Sequence, residues 1–297
     1  VTAPAQLLRN VLEPIASNVY FSPEVNDAFD QLGFGPGVSA PGCLTIAEPS
    51  GYYCSRAACM GQVPGGVVVA AFGVFNPKLI VPAVDRGWSI AGAAEVLDAR
   101  ERGATASLQR MLGDPPELAE VAKVLQRAAD AGTEAGRFLY AGLRSLEMPE
   151  HPMARFRRLV DTIREHRGDS HLAAWISAGL DPVEIGLLTE LYYEMPAKRY
   201  HRSRGWTDVD LDAGIDRLRT RGLIATSSMA LTTAGRELRD SIESATDVQQ
   251  QPLLDAIGAD FDRLVATIAP WAMAIVAADG FPTSVEQIPP TWGLLDH

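Results

Sequence analysis

The sequence predicts a mainly α-helical protein in three parts. Residues 1–148 read as a helical domain, residues 149–250 as a domain in which helix, turn, helix, short β hairpin and helix follow one another, and residues 251–297 as a long C-terminal helix with its tail. Three observations predict this. Apolar residues recur at three- and four-residue spacing along most of the chain, the period of a helix with one buried face. Helix starts built from a capping side chain, Pro and Glu recur at Ser22-Pro23-Glu24, Asp114-Pro115-Pro116-Glu117 and Asp181-Pro182-Val183-Glu184. A glycine stop, a short strand, a tight polar turn and a second short strand occupy residues 222–231.

In chain order, Leu7, Leu8, Val11, Leu12 and Ile15 form the first apolar stripe. Ser22 caps the second helix, Pro23 is preset for its first turn, Glu24 suits the positive helix end, and Gly33 stops it. From Gly33 to Gly51, Gly35-Pro36-Gly37, Pro41-Gly42 and Pro49 predict a long loop. Residues 51–88 hold almost no charge apart from Arg56, Lys78, Asp85 and Arg86. Within them residues 63–74 are short and apolar, and periodicity leaves buried helix and buried strand both open. Helices over residues 93–112 and from Leu118 onward close the N-terminal half.

Beyond Pro149, residues 153–167 read as a basic amphipathic helix, Gly168-Asp169-Ser170 as a break with a new cap, and residues 171–178 as a short apolar helix ended by Gly179. The Asp181 start gives a helix through Tyr193, followed by a loop with Pro196 and the basic run 198–204. Thr207 or Asp208 caps the next helix, whose Leu211, Ile215 and Leu218 face inward. Leu218, Leu223, Ile224 and Leu231 would seal the hairpin onto the helices, and Thr232 caps the helix after it. This is the order of a winged helix-turn-helix. The last helix presents Leu253, Leu254, Ile257, Phe261, Leu264, Val265 and Ile268 on a broad apolar face, which predicts a homodimer through that helix as one role.

Charge narrows the function classes. The 297 residues carry 26 Lys and Arg against 37 Asp and Glu, a formal net charge of −11. A whole-chain basic footprint for nucleic acid is thereby excluded. Residues 155–221 are different, with 12 basic against 11 acidic side chains, whereas residues 222–297 have 3 against 10. The near-neutral stretch coincides with the helix-turn-helix, and Lys198, Arg199, Arg202, Arg204 and Arg217 are its candidate DNA contacts. Asp208, Asp210 and Asp212 at the start of the recognition helix repel phosphate, and the turn Ala225-Thr226-Ser227-Ser228-Met229 carries no Arg or Lys, so any DNA binding is expected to be weak.

Two constellations suggest ligands or chemistry. Arg56 stands among Tyr52, Tyr53, Met60, Phe72, Phe75 and Trp88, the composition of an apolar pocket with one cation for a carboxylate or phosphate. Tyr20 and Asn76 are candidate polar anchors beside it. The alternative is a plain core in which Arg56 pairs with an internal acid such as Glu24. His166, Asp169 and His171 form the densest ionisable group. A break at Gly168 would gather them into an acid–base or metal site, whereas a continuous helix would turn the two imidazoles about 140° apart. The plainer alternative is that they decorate and cap helix ends.

H-E-x-x-H, paired C-x-x-C, G-x-G-x-x-G, P-loop and G-x-S-x-G patterns are all missing, which argues against dedicated metal enzymes, nucleotide-dependent enzymes and serine hydrolases. No cofactor is expected. Cys43, Cys54 and Cys59 lack disulfide-framework or zinc spacing and read as thiols of a reducing compartment. The first residues, VTAPAQLLRNVLEP, lack a signal-peptide pattern and no apolar run nears about 20 residues, so a cytoplasmic protein with no membrane partner is expected.

Residues 181–247 resemble the MarR-type winged-helix family, in which L-x-x-[KR]-G-L-[IV] leads into the wing and L-T-x-x-G-[RK] leaves it; here these are residues 218–224 and 231–236. More broadly, Tyr20-Phe21-x-Pro23-Glu24, Ser55-Arg56-Ala57-Ala58, Phe75-Asn76-Pro77 and Glu165-His166-Arg167-Gly168-Asp169-x-His171 resemble an uncharacterised actinobacterial helix-turn-helix family, a likeness spanning most of the chain. The broader likeness brings no established activity; the MarR-type likeness implies transcriptional regulation. Joined to the apolar segment, it predicts a ligand-responsive regulator whose partners are a small apolar or anionic ligand and DNA. The alternative is an enzyme or small-molecule-binding protein with an architectural winged helix and a site at Arg56 and His166/Asp169/His171.

Overall fold

Three apolar clusters organise the chain, and the computed structural model, which describes residues 3–39 and 44–283, shows a mainly α-helical protein built around them. The first cluster gathers α2 (Pro23–Leu32), α3 (Pro49–Ala57), α4 (Gly65–Phe72), α5 (Pro77–Ile90) and the start of α6 (Ala93–Leu112). Ser22 Oγ accepts from Val25 N at 3.3 Å to start α2, and Gly33, at φ +98°, ends it. Within the expected loop of residues 33–51 the described residues include a short strand pair and the first turn of a helix. β1 (Val38–Ser39) pairs antiparallel with β2 (Thr45–Ile46), and the Glu48 carboxylate accepts from Ser50 N and Gly51 N, so α3 begins before Gly51. Residues 63–74, open between helix and strand, hold α4, which ends at Gly73. Cys54 and Cys59 are free and buried, and burial pushes each thiol up to about 12; Cys43 lies outside the described residues.

The second cluster joins the two ends of the chain. α1 (Pro4–Ser17), α7 (Leu118–Ala131) and α9 (Pro152–Ser177) pack with α14 (Gln251–Ile257) and α15 (Phe261–Ala277), while α8 (Phe138–Arg144) lies along α9. The long C-terminal helix expected from sequence is therefore two helices, broken where Gly258 adopts φ +56°. Its apolar face is filled inside the chain: Leu253, Ile257, Leu264 and Ile268 are buried against α1, α6 and α7. Among the described residues no single helix is long and apolar enough to cross a membrane.

α9 corrects the expectation of a break at Gly168. It runs unbroken for 26 residues. An interior glycine costs a helix only about 1 kcal/mol relative to alanine, less than the burial of the flanking turns returns. Ser170 donates back to the His166 carbonyl at 2.7 Å instead of capping a new helix. Asp169 does cap a helix, but another one: its Oδ2 accepts from Leu139 N (3.1 Å) and Tyr140 N (3.0 Å) at the start of α8.

The third cluster gathers the segment expected to form the helix-turn-helix: α10 (Pro182–Tyr192), α11 (Arg199–Arg202), α12 (Asp208–Thr220) and α13 (Thr233–Val248) around Leu187, Leu188, Leu211, Leu218 and Ile242. Asp181 and Glu184 form the reciprocal cap of α10, and Thr207 and Asp210 that of α12. The expected wing is reduced to one bridge, Ile224 to Leu231, with Ala225 N donating to Ala230 O at 2.9 Å. Thr232 then caps α13 through Gly235 N.

Candidate functional site

A seam between the first and third clusters carries the most suggestive geometry. The 74–76 loop holds the turn between α11 and α12 by three hydrogen bonds. Asn76 N donates to Arg204 O (2.9 Å), Asn76 Nδ2 to Gly205 O (2.9 Å), and Trp206 Nε1 to Val74 O (2.9 Å). Asn76 also caps α5 through Lys78 N, so one side chain fixes both a helix start and the seam. Glu190, fully buried on α10, holds α11 from the other side by accepting from Lys198 N and His201 N.

One cavity opens at this seam and a second lies beside it. The first, of about 250 Å³, is walled by Phe72 and Phe75, by Leu172 and Trp175 of α9, and by Tyr200 of α11 and Arg204 of the turn that follows it. The other, of about 180 Å³, lies between α1 and α9 against Leu8, Leu12 and Ile163. Arg56, Arg164, Gly168 and His171 line both. Arg56 is paired, not free. It donates to Glu165 through Nε (3.1 Å) and Nη2 (2.9 Å), and its guanidinium stacks 4.4 Å from the Phe72 ring centre. Glu24, the partner considered from sequence, instead accepts from Arg110. Burial would raise the Glu165 carboxyl, but Arg56 and then Arg164 outweigh it and hold it below the usual carboxylate range. Arg204 differs. Among the described residues it makes no ion pair; its guanidinium lies 4.3 Å from the Tyr200 ring centre and 4.7 Å from that of Phe75.

His166 and His171 stay apart on the continuous helix and turn to residues following or within α13. His166 Nδ1 bonds Gln250 Oε1 (3.0 Å), and His171 Nδ1 bonds Thr246 Oγ1 (3.1 Å). Thr246 spends its own proton on the Ile242 carbonyl, so its oxygen accepts and His171 carries its proton on Nδ1. Burial pushes both imidazoles down to about 4 and raises Asp169 to about 7. Asp169 and His171 both line the larger cavity, whereas His166 lines neither. Among the described residues no group of three or more His, Cys, Asp or Glu is placed to hold a metal ion.

The remaining candidates are spread out. Tyr20 is buried, its hydroxyl accepting from Arg100 at 3.3 Å, and Trp88 donates to Val63 O at 2.9 Å away from both cavities. Of the candidate DNA contacts, Lys198 pairs with Asp212, Arg202 with Asp208 and Arg217 with Asp181; Arg199 makes no ion pair among the described residues. Gly168, Arg164, Tyr200 and Thr246 were not singled out from sequence as site residues. Their juxtaposition depends on packing between distant helices, for which the local pattern carries no signal.

Over residues 5–282 the chain matches a family model described as a helix-turn-helix family. No curated protein and no solved structure matches it.

Proposed function

Because the chain belongs to a helix-turn-helix family, we propose that it is a DNA-binding transcriptional regulator whose grip on DNA responds to a small ligand held at the seam. The observation that carries the reading is the shared wall. Tyr200 and Arg204, which border the turn into α12, also line the larger cavity, and the same turn is bonded to the 74–76 loop. A ligand that shifts this wall shifts the start of α12 with it. The likeness of residues 181–247 to MarR-type winged helices supports the same assignment. DNA contact falls to Arg199 and to Lys198, Arg202 and Arg217 once phosphate displaces their carboxylate partners, which makes the binding weak.

The coupling is tested by loosening the seam without touching α12. Asn76→Ala together with Trp206→Phe removes two of the three bonds to the turn, and the affinity for duplex DNA is expected to change several-fold. Equal affinities for the variant and the parent would refute the coupling.

A second reading rests on one observation. Asp169, a cavity-lining carboxyl raised to about 7, has the protonation behaviour of a general acid, which fits an enzyme with an architectural winged helix. Asp169→Asn would abolish turnover under that reading, whereas under the regulator reading it would leave DNA binding intact.

A further inference from the structure

Gly168 sits deep inside α9, where alanine would be the more stable choice. Packing does not require the glycine: an added Cβ would meet within 4 Å only Glu165 Oε2, at 3.4 Å. Gly186 on α10 is the contrast, because a Cβ there would fall 2.0 Å from the His201 ring. Gly168 is also one of the four residues common to both cavities, and it adds no side chain to the wall they share.

The two lobes differ in chemistry. In the α1 lobe Arg164 pairs with Glu13 and Arg167 with Glu243 and Asp247, Arg9 at its rim donates to Asn10 and Tyr193, and Leu8, Leu12 and Ile163 supply an aliphatic wall. The seam lobe offers Arg204, a cation with no carboxylate of its own, wedged between two aromatic rings. We propose that the lobes form one site, continuous across Gly168, for an elongated carboxylate whose anion meets Arg204 and whose apolar chain passes over Gly168 into the α1 lobe. His171 lines the crossing, and with its proton held by Thr246 its Nε2 is an acceptor there, which admits a hydroxyl or amide along the chain.

This deepens the ligand-responsive reading and rests on it for the role of the cavity, but it is tested without DNA. Calorimetric titration of the whole chain with hexanoate, octanoate, decanoate and decanol reads the site directly. Affinity should climb about fourfold per methylene along the acids as the chain enters the second lobe. In Gly168→Leu the climb should flatten, and in Arg204→Met decanoate should lose at least tenfold while decanol is unchanged. Gly168→Ala is expected to melt higher than the parent and to flatten the series in part, which covers the event that the leucine variant does not fold. No binding of decanoate by the parent, an unchanged series in the folded Gly168 variants, or an equal loss of acid and alcohol in Arg204→Met would each overturn the proposal. None of these outcomes bears on whether the chain retains DNA, so the two readings fail separately.

Discussion

Arg56 and Glu165 are 109 residues apart in sequence and meet as a two-pronged ion pair, with Arg56 on the walls of both cavities. That an arginine lay in an apolar setting could be read from the low-charge segment; which acid would meet it could not, because the partner is chosen by the packing of helices distant in sequence. Glu165→Gln leaves the Arg56 charge buried without its counterion. A loss of about 3–5 kcal/mol is expected in denaturant unfolding. A loss below about 1 kcal/mol would show that water or Arg164's partners compensate.

Buried imidazoles set the response to acid. His166 and His171 are pushed down to about 4 and His201 to about 3, against an ordinary value near 6.5. Their contribution is fully present above about 6.5 and is lost as the pH falls through that value toward 4, because unfolding then takes up protons. Asp169, raised to about 7, works in the opposite direction, its contribution being present at low pH and lost as the pH rises through 7. Three imidazoles outweigh one carboxyl, so the melting temperature should fall between pH 6.5 and 4. His166→Gln should make that fall shallower, and an unchanged slope would contradict the assignment.

Among the elements, most helix starts were legible because they are local, although α7 begins at Leu118 with no side-chain cap from the Asp114–Glu117 segment. Ser22, Asp181 and Thr232 cap where their sequence patterns place them. The wing and α9 were less so. The hairpin contracts to one bridge, and the Gly168 triplet, which reads as a break, is carried through by a helix whose neighbours bury it on several sides. Local punctuation loses to tertiary packing in such a helix. Gly168→Ala therefore has two expected effects of opposite value. The melting temperature rises, for a gain of up to about 1 kcal/mol, while ligand affinity falls. An alanine that stabilises and leaves binding untouched would remove the functional explanation for the glycine.

Taken as a whole molecule, the net charge of −11 hides a division between an acidic body and a near-neutral helix-turn-helix region. Within that region the cations are mostly paired with the carboxylates of α10 and α12, so few counterions are released when DNA binds and the salt dependence should be shallow. The most direct test of the regulator assignment is a fluorescence-anisotropy titration of labelled duplex DNA at about 50 and 200 mM salt, comparing the parent with Arg199→Ala/Arg202→Ala. The account predicts measurable binding at the lower salt that weakens at the higher, and a double variant with lower affinity and a salt slope smaller by about one, since Arg202 is already neutralised by Asp208. Failure of the parent chain to bind at the lower salt, or identical curves for parent and variant, would contradict it.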